Sequence, residues 1–228
     1  DLGANIIKIS GQTHAVPFYE KFGFAVAGPE FMEENLPHVD MCMNLVFEGC
    51  DWLGFDDNTS AVYAKATFNA KKGQSVKLFS SGLGFCNIKI NGEKVDDALL
   101  SPAWTNYEKR DLSVLNYPLH DILVHRIHYV ENDISDFVVD GENTVEFHIG
   151  EGWYAQHLSR NEGITAYGAL KLCFKVLADD ELVAKSDENV LWKKSYVTQT
   201  NIYFGEVQDA RLIDKGEWKP AAKIPAPL

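Results

Sequence analysis

The dipeptide Asn91-Gly92 constrains this chain more than any other feature. An Asn-Gly pair accepts the positive φ angles of a two-residue hairpin, so it turns the chain back as an antiparallel pair. The pattern around it repeats. From Asp51 onward, short runs with alternating or β-rich character recur between turn signals, at 61–68, 76–80, 85–90, 124–130, 144–149, 169–177, 191–194 and 207–212. Lys72-Gly73 and Asp140-Gly141-Glu142-Asn143 are the turn signals at two of the gaps, and 134–138 reads as a single helical turn. Many short strands with little helix predict a mainly β fold, an antiparallel β-sandwich.

The first 48 residues read differently. Residues 5–9 are β-rich, 14–22 suit a short helix ended by Gly23, and 24–27 and 38–45 read as strands. Phe18, Phe22 and Phe24 fall at helical spacing, which predicts core positions. At the other end, Pro220, Pro225 and Pro227 make residues 216–228 an extended linker that leads to further sequence. The expected organisation is therefore a small α/β segment at 1–48, a sandwich at 49–215 and the linker. The sequence opens on Asp1 rather than methionine, and further sequence upstream is expected as well.

Charge narrows the function. With 33 acidic against 21 basic side chains the formal net charge is −12, and no basic run offsets it. Nucleic acid and anionic membrane would repel such a chain, so neither is an expected partner. No apolar run is long enough to span a bilayer and no signal peptide is evident; the expected location is cytoplasmic. Cys42, Cys50, Cys86 and Cys173 show no C-x-x-C spacing, so they read as buried reduced thiols rather than a disulfide framework or a zinc site. His120, His125 and His128 are the nearest approach to a metal motif. On a strand, 125 and 128 point to opposite faces, and no metal or cofactor is expected.

Two family resemblances sharpen this reading. The run 5–12, the string Ala15-Val16-Pro17-Phe18-Tyr19-Glu20-Lys21-Phe22-Gly23-Phe24 and residues 32–41 resemble the C-terminal part of the GNAT acetyltransferases. In that family these are the fifth strand, the fourth helix and the last two strands. By that likeness Tyr19 matches the tyrosine that protonates departing coenzyme A thiolate, a role open to a phenol of pKa about 10. The family's phosphate-binding turn, [RQ]-x-x-G-x-[GA], should precede the fifth strand, which places it before Asp1. Downstream, Arg160-Asn161-Glu162-Gly163-Ile164-Thr165 comes near it but ends on threonine and lies in the other segment. The resemblance therefore implies a partial GNAT-like unit, with an acetyl-coenzyme A-dependent N-acetyltransferase as the alternative if the cofactor-binding half lies upstream. So small a unit needs completing, by upstream sequence, by docking on the sandwich or by self-association.

The larger segment, from about Tyr63 to Leu212, resembles the N-terminal, non-catalytic β-sandwich of bacterial α-L-rhamnosidases, glycoside hydrolase family 78. The residues that carry this are Ser81-Gly82-Leu83-Gly84-Phe85, Ile90-Asn91-Gly92-Glu93-Lys94-Val95, 100–110, Gly141-Glu142-Asn143-Thr144-Val145, Gly150-Glu151-Gly152-Trp153-Tyr154 and 202–211. The resemblance implies a jelly-roll-like sandwich accessory to a later (α/α)₆ barrel. That barrel would supply the acid and base, about 6.5–9.5 Å apart, that inverting hydrolysis needs. No catalytic residue is expected in this chain; acidic runs such as Asp56-Asp57 and Asp179-Asp180-Glu181 read as solvated turns.

Candidate contacts for a rhamnose-containing glycan are the aromatics at strand ends beside Gly or Pro: Trp104, Tyr107, Trp153 and Tyr154. Asn106, Gln156 and Arg160 are polar neighbours able to bond sugar hydroxyls. The competing reading has the same aromatics packing the sandwich or its contact with the following catalytic domain. Glu206, Asp209 and Arg211 read as an internal ion-pair network.

Overall fold

The computed structural model describes residues 6–56, 59–103, 107, 127–155 and 167–226. Several of its strands begin and end at turns that the sequence marks, whereas the expected strand at 124–130 is not strand over its described residues 127–129. β1 (Ile6–Gln12), β2 (Ala25–Glu33) and β3 (Leu36–Asn44) form one antiparallel sheet with β3 in the middle. Between β1 and β2 runs a turn of 3₁₀ helix followed by α1 (Val16–Glu20), with Pro17 in its first turn and Gly23 (φ +86°) just past its end. The β2–β3 register shifts between Val26 and Glu30, where Gly28-Pro29 withholds an amide from the ladder. Val39 and Met41 alternate inward from β3, at 5% and 0% exposure. By contrast Phe18 and Phe22 are 58% and 60% exposed, not core residues as their spacing predicts. The helix is only five residues long, and none of its residues is buried among the described residues. The chain divides into two compact units, the first holding this sheet and the second starting at Gly49.

In the second unit come β4 (Trp52–Gly54), β5 (Ala61–Ala70), β6 (Val76–Leu83), β7 (Phe85–Ile90), β8 (Glu93–Lys94) and β9 (Val130–Asp133). They are followed by β10 (Gly141–Gly150), β11 (Lys171–Ala178), β12 (Glu181–Lys185), β13 (Leu191–Lys194), β14 (Val197–Asn201) and β15 (Gly205–Gln208). The last two are β16 (Lys219–Pro220) and β17 (Ala222–Ile224). One six-stranded sheet runs β16-β13-β5-β10-β7-β8; the other runs β17-β4-β11-β6-β9, with β12 also on β11. Every described pairing is antiparallel, and β14 and β15 form a separate hairpin. The stretch expected as linker is extended, but 219–224 is hydrogen-bonded into both sheets.

The two sheets meet through Phe147 of β10 and Phe174 of β11, ring centroids 4.8 Å apart and both fully buried. Each such side chain stabilises the fold by about 1.5–3 kcal/mol through burial. Along β10 the pleat alternates cleanly, with Asn143, Val145, Phe147 and Ile149 inward. β6 does not alternate, because both its faces are covered: Tyr129 lies against Phe79, and Ser81 Oγ donates to the His128 carbonyl at 2.8 Å.

Turn chemistry explains the joints. Asn91 (φ +52°) and Gly92 (φ +86°) make the β7–β8 hairpin as expected, and Asn91 also accepts from the Thr144 amide. Asn143, 1% exposed, accepts from Asn91 Nδ2 and the Val139 amide and donates to the Val139 and Gly141 carbonyls, so its buried amide is fully satisfied. Gly84 (φ +114°) lies where an added Cβ would sit 2.0 Å from the Gly150 carbonyl oxygen. The predicted strand 207–212 ends early instead. Asp209 accepts from the Arg211 amide at 3.0 Å and starts a 3₁₀ turn at 210–212.

Candidate functional site

The outer face of the six-stranded sheet around β10 carries the site. Residues that alternate inward from β10 leave His148 and Gly150 facing out. Register then sets Lys193, Tyr63, His148 and Asn87 in one row across β13, β5, β10 and β7, and Ala61, Gly150 and Phe85 in the next. His148 stacks flat on Tyr63, with centroids 4.3 Å apart and planes 21° apart, and its Nε2 lies 2.9 Å from Ser195 Oγ. The Tyr63 side chain also bonds Ser195, whose Oγ accepts from the Val197 amide. Burial lowers the His148 pKa, with the Glu206 carboxylate opposing it, and raises that of Tyr63.

Above this floor opens a cleft of about 410 Å³. One wall is Leu99, Leu100 and Ser101, fixed by the Ser101 carbonyl accepting from the Cys86 amide at 2.7 Å. The other is Thr200, Asn201, Ile202 and Glu206 of the β14–β15 hairpin. Thr200 Oγ1 accepts from the Glu151 amide, and Asn201 Oδ1 accepts from the amides of Tyr203 and Phe204, which holds the hairpin tip. Next in sequence after the lining residue Ile202, Tyr203 is 58% exposed and meets Trp153 edge-on at 5.4 Å. Burial pushes the Cys86 thiol well above its ordinary value, so it lines the cleft as a neutral group. Glu206 is the one carboxylate among the described lining residues.

The expected aromatic platform is not laid out as one exposed surface. Tyr107 is 8% exposed and Tyr154 3%. One side of Tyr154 stacks on Tyr167 at 5.9 Å, and the Lys171 ammonium sits 5.2 Å from its ring. Trp153 is half-buried. Trp104, Asn106, Gln156 and Arg160 lie outside the described residues, as do His120 and His125. The expected ion-pair network divides: Arg211 pairs with Asp209 at 2.7 Å, while Glu206 accepts from Gln208 and faces the cleft. Tyr19 packs edge-on to Phe24 and against Gly11, where an added Cβ would lie 3.1 Å from its ring. Sequence reasoning missed His148, Asn87, Thr200 and Asn201. The available signal was an outward-facing histidine in an otherwise alternating strand.

The sequence profile of the α-L-rhamnosidase N-terminal domain matches residues 71–225, about two thirds of the chain. A Formosa agariphila α-L-rhamnosidase is 31% identical over 176 residues, which is 71% of this chain. The chain belongs to the α-L-rhamnosidase N-terminal domain family. It spans 16% of that relative's length. The crystal structure of an Aspergillus terreus α-L-rhamnosidase superposes with a TM-score of 0.64 at 20% identity, over 83% of this chain and 23% of that one. That likeness concerns the fold, and it agrees with the rhamnosidase-type sandwich. Residues 2–45 also match the acetyltransferase (GNAT) domain profile. A putative acetyltransferase of Bacillus subtilis is 49% identical over 39 residues, 17% of this chain and 26% of that protein. No described helix is long and apolar enough to cross a membrane.

Proposed function

We propose that this chain is a non-catalytic accessory module of an α-L-rhamnosidase polypeptide, and that its cleft contacts rhamnose-containing glycans. The observation that carries the reading is the cleft itself. Asn87, Thr200 and Asn201 offer hydrogen-bonding edges, and Trp153 and Tyr203, which directly follow the lining residues Gly152 and Ile202, offer an aromatic pair beside them. Among the described lining residues the single carboxylate, Glu206, supplies no acid and base pair of the kind glycoside hydrolysis requires. Trp104 and Asn106, which continue the chain from the Ser101 wall, and Gln156 and Arg160, which follow Gly152, are proposed as further contacts. The catalytic step belongs, on this reading, to a domain elsewhere in the polypeptide. A few such contacts support affinities between about millimolar and micromolar.

The test is a titration of the chain with L-rhamnose followed by amide chemical shifts, with acetyl-coenzyme A in a parallel sample. Saturable shifts confined to the β14–β15 hairpin, β7 and β10 are expected with rhamnose, and none with acetyl-coenzyme A. Asn87→Ala and Trp153→Ala should each abolish them while leaving the thermal midpoint in place. Unchanged rhamnose binding in both variants sinks the cleft assignment. Saturable binding of acetyl-coenzyme A sinks the accessory-module reading in favour of an acetyltransferase.

A further inference from the structure

Cys50 and Cys173 are far apart in sequence and share no spacing motif, yet the fold ties both to Ser186, which accepts from the amide beside Cys50 and donates to Cys173 itself. The main chain on both sides of Cys50 is fixed. Lys185 Nζ donates to the Gly49 carbonyl at 2.7 Å, and the Asp51 amide donates to the Ser186 carbonyl at 2.8 Å. Ser186 is in turn tied to β11: its amide donates to the Phe174 carbonyl at 2.9 Å, and its Oγ donates to Cys173 Sγ at 3.5 Å. Directly after Cys50, β4 joins β11 with Leu53 opposite Leu172. Cys173 is fully buried, whereas Cys50 is partly exposed.

We propose that Cys50 and Cys173 form a disulfide-forming pair, in which half-exposed Cys50 meets the oxidant and buried Cys173 completes the bond. The charges are arranged for that order. The hydrogen bond from Cys173 lowers the Cys50 pKa, as do Lys175 and Lys185, while burial and Asp51 oppose them; the bond and burial both raise the Cys173 pKa. With glutathione disulfide as oxidant, the Cys50 thiolate attacks one glutathione sulfur, the glutathione S–S bond breaks, and one glutathione leaves as the thiol with the Cys50 proton. Cys173 sulfur then attacks Cys50 sulfur in the mixed disulfide, and the second glutathione leaves with the Cys173 proton. Two protein thiols are oxidised and one glutathione disulfide is reduced.

The bond would anchor the lead-in to β4, a three-residue strand that carries β17 on its other edge. Lys223 of β17 also pairs with Asp51. Oxidation therefore secures the strand on which 222–224 is seated, and it closes a long loop in the unfolded chain.

The experiment is to equilibrate the whole chain with glutathione disulfide, alkylate free thiols, and map peptides by mass spectrometry beside a thermal melt. A peptide linking Cys50 to Cys173 is expected, with Cys42 and Cys86 alkylated. The melting midpoint should rise by several degrees and return on reduction with dithiothreitol. Cys50→Ser should remove both the linked peptide and the oxidant-dependent rise. Cys173→Ala should instead stop the reaction at a glutathione adduct on Cys50, and Cys50→Ser remains informative if that buried substitution prevents folding. Recovery of Cys50 as an alkylated thiol or a stable glutathione adduct in the unsubstituted chain overturns the proposal, as does Cys50 linked to any other cysteine.

Discussion

The three-stranded sheet of the first unit and the two six-stranded sheets of the second use the same antiparallel ladders, but they conceal very different amounts of apolar surface. The sandwich closes face on face, so Phe147 and Phe174 lose all contact with solvent. Among the described residues of the first unit, the helix buries none of its side chains. Phe18 and Phe22 meet at a tilt, 5.1 Å apart, yet remain mostly exposed, and Met32 and Leu36 at the β2–β3 turn are 65% and 47% exposed. Apolar patterning in a short segment shows which residues favour burial. Whether burial happens depends on how much structure there is to cover them.

Phe147→Ala is the strongest test of this contrast, with an expected loss of about 3–5 kcal/mol. Phe18→Ala should cost less than about 0.5 kcal/mol. Far-ultraviolet circular dichroism during denaturant unfolding reads both units, and tryptophan fluorescence reads the second alone, because all five tryptophans lie there. A comparable loss from Phe18→Ala would mean that the exposed aromatics are load-carrying after all.

Gly84→Ala should cost about 3 kcal/mol, since the added methyl would overlap the Gly150 carbonyl at a backbone angle closed to alanine. Asn143→Ala follows at about 2 kcal/mol, because it strands the Asn91 amide and the Val139 amide that it now satisfies. Both are read from urea midpoints, and neither should alter the first unit.

A smaller effect concerns pH. Burial lowers the His148 pKa from its ordinary 6.5, so the unfolded chain binds that proton more readily than the folded one. The stability contributed by the neutral ring is present above 6.5 and is lost as pH falls from there through the folded value. His148→Phe should flatten that part of a midpoint profile taken between about pH 5 and 8. The smallest expected change is at Arg211, which is 89% exposed and pairs with Asp209 on the surface. Arg211→Ala should leave the melting midpoint unmoved.

Much of the second unit was legible from local chemistry. The strands at 61–70, 85–90 and 191–194 and the Asn91-Gly92 hairpin follow from alternation and from residues that tolerate positive φ. The helical turn at 135–137 follows from Asp133, which accepts from the Ser135 amide. β12 and β14 were not legible. Glu181–Lys185 follows an acidic turn and lies on the sheet edge, and Val197–Asn201 is mostly polar, so neither shows the apolar alternation that betrays a half-buried strand. The first unit's helix was legible as a helix and misread as a source of core, since spacing reports a face and not what covers it.

The sequence by itself determined that this chain would be a succession of short antiparallel strands, and its motifs placed it among rhamnosidase N-terminal domains. Those properties reside in turns and in period-two patterns a few residues long. The cleft and the cysteine contact were decided only in three dimensions. Asn87, His148 and Thr200 converge because β7, β10 and the β14–β15 hairpin meet, and Cys50 reaches Cys173 because β4 pairs with β11. Register between distant strands is set by the burial of a whole sheet face, and no local window of sequence contains it.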